Sequence, residues 1–290
     1  AESAHALNDK ATRQSHLNQA LQEPASSAAN VRQSLMEGGM LRAARWALDD
    51  RDASESLLWL DRLPQGVARR TLAMRLRLKA ARLAGEPSQA LDTALLLIKH
   101  RAFTSEASES MIRSLVFDLI SKTHELGQMQ RLWSRLGEAQ RQSTELAIQA
   151  AQHWLSLKGD PVVARSWLKP IWSRWQATPQ SLSVSQQLKL TKVLDRSLTG
   201  QDTAEEREWL MLIETAQKAN PREPLLQYLA GRLCQKRQLW GKAQVLLAQA
   251  APALSDPGLR RQAWRSLAEL AEKREDLPGA VSALKKAAMD

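Results

Sequence analysis

Five histidines, one cysteine and three clustered aspartates are the residues of this chain that could hold a metal or shuttle protons, and their spacing argues against both uses. His5, His16, His100, His124 and His153 lie far apart, and none belongs to a His-Glu-x-x-His helix, the spacing that sets two imidazoles on one face around zinc. Cys234 stands alone, so it can form neither a Cys-x-x-Cys-His haem attachment nor an internal disulfide. Asp49, Asp50 and Asp52 look like the start of a calcium loop, but Glu55 stands at the sixth position from Asp50, where that loop needs glycine. The cluster reads better as the cap of a helix beginning near Ala53. None of the twelve glycines forms a Gly-x-Gly pair and no Gly-Lys-Ser/Thr occurs, which removes the dinucleotide fingerprint, the kinase glycine loop and the P-loop. The chain therefore reads as non-catalytic, with no catalytic residue, no metal site and no resident cofactor.

What remains is positive charge. Forty-one Lys and Arg face 31 Asp and Glu, a net charge of +10, which favours anionic partners. Arg75, Lys79 and Arg82 fall at i, i+4 and i+7, on one line of a helix. Carboxylates of an acidic peptide, or the propionates of a porphyrin, would meet such a line through charge-assisted hydrogen bonds. Nucleic acid is not the expected partner. The basic residues are spread over many helices, no nucleic-acid fold is recognisable, and few aromatics are free to stack on bases.

The elements that must position this charge repeat along the chain. Gly85-Glu86-Pro87-Ser88-Gln89-Ala90 and Gly159-Asp160-Pro161-Val162-Val163-Ala164 each place a turn glycine five residues before an alanine. Ser56 and Ala90 share a register 34 residues apart, Ala90 and Ala164 lie two steps apart, and Ala243 and Ala280 are separated by 37. Such periods belong to tetratricopeptide-type helical hairpins, in which a small residue lets two helices touch and leucines fill the space between repeats. The glycine is expected to supply the left-handed residue of the turn. Ala, Leu, Gln, Arg and Glu dominate and are good helix formers. The fold class is thus all-α, a tetratricopeptide-like right-handed superhelical solenoid of about seven hairpins plus an N-terminal half repeat. Second helices are expected at 9–22, 52–63, 86–100, 127–136, 160–176, 203–219, 239–251 and 277–289. Breaks are expected at Glu23-Pro24, Leu63 to Gly66, Ala177 to Pro179, Asn220-Pro221 and Asp256 to Gly258. A continuous solenoid over 1–290 needs no internal domain boundary, and 177–185 is the best place for a bend.

In a tetratricopeptide unit the first helix lines the inside of the superhelix. The register of Ala90 puts Arg75, Lys79 and Arg82 there, and the same count adds Arg45, His153, Tyr228, Arg232 and Lys236 from neighbouring units. The expected binding groove consists of these eight residues. Ten tryptophans are explained as packing residues, with Trp167, Ile171 and Trp175 forming an aromatic stripe on one helix that also carries Pro170.

Met40 to Arg45, Leu57 to Pro64, Ala164 to Trp172 and Pro224 to Leu226, in that order, resemble the proteobacterial HemY family. The resemblance covers most of the chain, and its motifs are largely packing residues. It implies a tetratricopeptide domain that follows two membrane helices, so that an anchor is expected upstream of Ala1, with this domain soluble and facing the cytoplasm at the bacterial inner membrane. It further implies a scaffold associated with haem biosynthesis, whose partners are other proteins, foremost haem-pathway enzymes, and leaves non-covalent porphyrin or haem binding open. The family contributes no catalytic residues. Within the chain the longest clear apolar run, Ala94 to Ile98, is five residues, against about 20 for a membrane span. The other function class considered is an envelope-assembly adaptor like the tetratricopeptide proteins that regulate lipopolysaccharide synthesis. Those end in a cysteine-rich metal module, which a single Cys234 cannot build.

Overall fold

The computed structural model describes residues 1–7, 9–22 and 29–289; the break expected at Glu23-Pro24 lies outside them. Among the described residues the chain is all-helical and contains no strand. It falls into two compact units, Ala1–Leu119 and Ile120–Asp290. The first holds α1 (Glu2–Ala6), α2 (Lys10–Gln22), α3 (Ala29–Asp49), α4 (Ala53–Asp61), α5 (Gln65–Ala68), α6 (Thr71–Leu83), α7 (Pro87–Lys99) and most of α8 (Ser105–Ser121). The second holds α9 (Leu126–Arg135), α10 (Glu138–Arg141), α11 (Thr144–Ser156), α12 (Pro161–Ala177), α13 (Val184–Ser197), α14 (Ala204–Ala219), α15 (Pro224–Lys236), α16 (Trp240–Ala253), α17 (Pro257–Glu272) and α18 (Leu277–Met289). The stretch 177–185 contains a 3-10 turn, Pro179–Ser181, between α12 and α13. No described helix is long and apolar enough to cross a membrane.

The eight expected second helices coincide with α2, α4, α7, α9, α12, α14, α16 and α18, each within two residues at either end. Local chemistry explains the starts. Asp52 accepts from the Glu55 N–H, Thr203 from Glu206 and Asp256 from Leu259, so each caps the helix that follows it. Ser183 and Gln186 form a reciprocal capping box at the start of α13. Proline opens α7, α12, α15 and α17, at a position where its missing N–H costs nothing.

Five of the hairpin turns, those before α4, α7, α12, α16 and α18, share one geometry. Arg51, Gly85, Lys158, Gln238 and Glu275 all have φ between 60° and 72°. In each case the next N–H bonds the carbonyl five residues back, as in Asp52 to Ala47, Glu86 to Ala81, Gly159 to Trp154, Leu239 to Cys234 and Asp276 to Ala271. The left-handed residues at 51 and 85 are 34 apart, and those at 238 and 275 are 37 apart. The expectation that glycine supplies this residue holds at Gly85 and fails at Gly159. There Lys158 takes the left-handed conformation, and Gly159 is required because a Cβ would sit 2.4 Å from the Trp154 ring. That ring is fixed in turn by its Nε1, which donates to the Asp160 carbonyl at 2.8 Å.

Small residues set how closely helices approach. Ser56, Ala90, Ala164 and Ala243 are fully buried and Ala280 nearly so, as their shared register requires. Ser56 also donates its hydroxyl to the Ala44 carbonyl at 2.9 Å, tying α4 to α3. At Gly231 a Cβ would meet Leu247 Cγ at 2.7 Å, so α15 and α16 can pack only because that side chain is absent. In the first unit Trp46, Trp59, Leu60, Leu63, Val67, Ala73 and Leu76 form a core between α3, α4 and α6. In the second, Ile171, Trp172 and Trp175 of α12 are buried, and Trp172 meets Trp175 and Trp209 edge to face at 5.4 and 5.9 Å. Trp167 stacks on Trp133 with ring centroids 4.7 Å apart. A buried ion pair is also built in, with Arg165 Nη1 3.1 Å from Glu206 Oε1. Arg165 Nε donates to Glu205 at 2.7 Å and its guanidinium to the Ser197 carbonyl, while Glu206, equally buried, accepts from the Thr199 N–H at 2.9 Å. These bonds hold the α13–α14 loop against α12.

Because these contacts leave no room, Ala243→Leu should cost about 1–3 kcal/mol by overpacking. Gly231→Ala should also destabilise, despite the roughly 1 kcal/mol that alanine gains over glycine inside a helix. Urea unfolding measures both; two changes near zero would show that α15 and α16 do not approach as closely as described.

Candidate functional site

The chemistry-bearing residues meet in the second unit, where α11, α13, α15 and α17 line a groove of about 500 Å³. Along α15, Tyr228, Arg232 and Lys236 repeat every four residues and so share one face. Along α13, Lys189, Lys192 and Arg196 fall at i, i+3 and i+7 and form a second line. Asp195 lies between the two. Gln152 of α11 and Gly258, Leu259 and Gln262 of α17 complete the walls. Five cations thus surround one carboxylate.

Asp195 organises the floor. Its carboxylate accepts from the Tyr228 hydroxyl at 2.9 Å and from Arg232 Nε at 3.0 Å, with Lys236 Nζ 3.7 Å away. Lys236 donates to the Asp195 carbonyl at 2.6 Å and to that of Leu198, capping the end of α13. Arg232 Nη1 reaches Gln235 at 2.9 Å and Ser266 at 2.7 Å, which ties α15 to α17. Burial, reinforced by the negative charge of Asp195, pushes the Tyr228 hydroxyl far above its ordinary value, so it stays protonated as a donor. Burial also holds the Lys236 ammonium below its usual range, with Asp195 opposing and Arg232 adding to the shift. For Arg232 burial opposes the charge, but Asp195 and Tyr228 outweigh it and hold the guanidinium above its normal value.

At the rim, Lys192 Nζ donates to Asp256 at 2.8 Å. Burial opposes ionisation of Asp256, yet the bonds from Lys192 and from the Leu259 N–H hold its carboxyl below the usual value of 3.8. Lys189 and Arg196 are exposed and have no partner among the described residues. The arrangement can bind carboxylates or other anions through fixed donors. Among the described residues no group of three histidine, cysteine or acidic side chains is placed to hold a metal. Cys234 is fully buried, and burial raises its thiol above its ordinary value, which suits a packing residue.

The eight residues expected to form a groove divide. Tyr228, Arg232 and Lys236 are brought together, but as its floor: Tyr228 has no exposed surface and all three bond to Asp195 or its backbone. His153 Nε2 bonds the Thr123 carbonyl at 2.7 Å and is absent from the groove wall, which its neighbour Gln152 joins. The remaining four belong to the first unit. Arg75, Lys79 and Arg82 are all exposed on one line of α6, and Arg45 is exposed on α3. Arg75 is not free: its Nη2 donates to the Ala102 carbonyl at 2.7 Å and its guanidinium lies 5.6 Å from the Phe103 ring. Sequence reasoning missed Lys189, Lys192, Asp195 and Arg196. Their i, i+3, i+7 spacing was a readable signal, but α13 carries no glycine-to-alanine signature to set its register. No family model matches the chain, and no curated protein matches its sequence.

Asp195→Ala should destabilise by about 3 kcal/mol, because it strands partly buried charges on α15, whereas Tyr228→Phe should lose only about 1 kcal/mol. Equal losses in denaturant unfolding would contradict the role given to Asp195. Asp256→Asn keeps a good cap and removes only the charge. Since the folded carboxyl lies below its unfolded value, the ion pair contributes stability above about pH 4 that disappears as pH falls through the folded value. With Lys192 partly exposed, wild type and variant should differ by about 0.5 kcal/mol at pH 6 and converge in acid. A difference that persists at pH 2 would assign it to something other than this charge.

Proposed function

We propose that this protein is a non-catalytic interaction scaffold of the tetratricopeptide type, and that the groove of the second unit receives an anionic partner. The observation that carries the reading is the groove itself, lined by successive first helices of hairpins, α11, α13, α15 and α17, with five cations from α13 and α15 around one carboxylate. The recurrence of one left-handed turn at 34- and 37-residue steps supports the repeat class, since those are the periods of stacked helical hairpins. A right-handed superhelical solenoid is the architecture that follows from stacking such units. Tyr228 stays protonated and Cys234 is buried with its thiol raised, so neither offers an activated nucleophile.

The resemblance of Met40 to Arg45, Leu57 to Pro64 and Ala164 to Trp172 to the HemY family supplies the setting. In this reading the domain is tethered to the inner membrane by a preceding anchor, faces the cytoplasm, and gathers haem-biosynthesis enzymes or holds an intermediate passing between them. Chemical crosslinking of the full-length protein in its native membrane, with the captured proteins identified, tests this. Haem-pathway enzymes should be enriched at physiological salt and lost near 1 M, where the screening length falls from about 8 Å to about 3 Å. Purified protein should leave porphyrinogens unoxidised. Enzyme enrichment indifferent to salt would remove the basic groove from the reading; oxidation that tracks with the protein would end it.

A further inference from the structure

The basic groove distinguishes between the two anions that could enter it. Among the described residues its aliphatic wall residues are Val193 and Leu259, both almost fully buried, and no histidine, cysteine or methionine lines it. The metal of a tetrapyrrole would find no imidazole, thiolate or thioether ligand there. The side-chain amides of Gln152, on α11, and Gln262, on α17, form no hydrogen bond with any described residue. Side-chain amides offer a donor and an acceptor each, which is what a peptide backbone needs. The cations also differ in readiness. Asp195 engages Arg232 and Lys236, and Asp256 engages Lys192, while Lys189 and Arg196 carry unneutralised charge. Their Cα atoms are seven residues apart on α13, about 10 Å along the helix.

We propose, resting on the scaffold reading above, that the groove binds an extended acidic peptide, with two carboxylates three residues apart held by Lys189 and Arg196 and the backbone between them held by Gln152 and Gln262. In a polyproline-type extended chain residues i and i+3 lie on the same side, about 9 Å apart, which matches the spacing of the two free cations. Arg232, Lys236 and Asp195 are positioning residues that stiffen α13 beneath the ligand.

Fluorescence polarisation on the whole chain tests this with four probes: a labelled nine-residue Gly/Ser/Pro peptide with glutamates three apart, the same peptide with the two glutamates adjacent, its glutamine version, and protoporphyrin. The spaced peptide should bind, with the adjacent and glutamine versions at least tenfold weaker. Lys189→Gln with Arg196→Gln should weaken it at least tenfold and reduce its salt dependence. Gln152→Ala with Gln262→Ala should weaken it severalfold and leave the salt dependence unchanged. Arg75→Gln with Lys79→Gln should have no effect. Circular dichroism verifies that each variant keeps its helicity. Equal binding of the adjacent-glutamate peptide, or an unchanged affinity in the Lys189/Arg196 variant, overturns the recognition pair while leaving the scaffold reading in place. Protoporphyrin bound through Lys189 and Arg196 in the absence of peptide binding overturns the peptide assignment and keeps the groove as an anion site. Failure of all anionic probes overturns both.

Discussion

Five hairpins among the described residues obey one constraint: a helix must end, reverse through a single left-handed residue, and restart with its backbone close to the one it has just left. The bond from the second post-helical N–H to a carbonyl five residues back satisfies part of the helix end, and it offsets the roughly 1–2 kcal/mol cost of putting an L-residue in that conformation. Arg51, Lys158, Gln238 and Glu275 take that conformation although none is glycine. Where the returning helix comes closest, only small residues fit. Ala90, Ala164 and Ala243 are sealed from solvent, and Gly231 lies against Leu247 with no space for a methyl group.

Upon this packing the second unit adds a polar layer that determines which charges are structural. Asp195 collects Tyr228, Arg232 and the end of the Lys236 side chain, and Arg165 is held by Glu205 and the Ser197 carbonyl. Buried polar groups of this kind contribute little net stability when satisfied and a large penalty when broken, so they act as locks on helix position. The locks hold α13 in place and leave Lys189 and Arg196 exposed without partners among the described residues. In the first unit the basic line of α6 has a different status, since Arg75 already bridges to the Ala102 carbonyl and the Phe103 ring. Basic residues with similar spacing therefore have unlike capacities to meet a ligand.

The all-α class, the positions of the second helices and the packing role of Ser56, Ala90, Ala164, Ala243 and Ala280 were legible in the sequence. They depend on local propensity and on a 34- to 37-residue rhythm, and such signals survive in one dimension. The grouping of Tyr228, Arg232 and Lys236 was legible for the same reason, being a single helical stripe. What one dimension could not supply was which side of the balance each polar residue falls on. Tyr228 reads as a binding residue until Asp195, 33 positions earlier, is brought to 2.9 Å from its hydroxyl. Gly159 reads as the turn's left-handed residue until the Trp154 ring occupies the place of its Cβ. Lys189 and Arg196 are set apart from the other cations of the groove because Asp195 and Asp256 bond to Arg232, Lys236 and Lys192 instead. Sequence alone determined the helices and their small-residue contacts, because backbone preference and periodicity are local. The division between structural and available charge was decided by tertiary structure, because it depends on which opposite charge, carbonyl or ring the fold carries into hydrogen-bonding range.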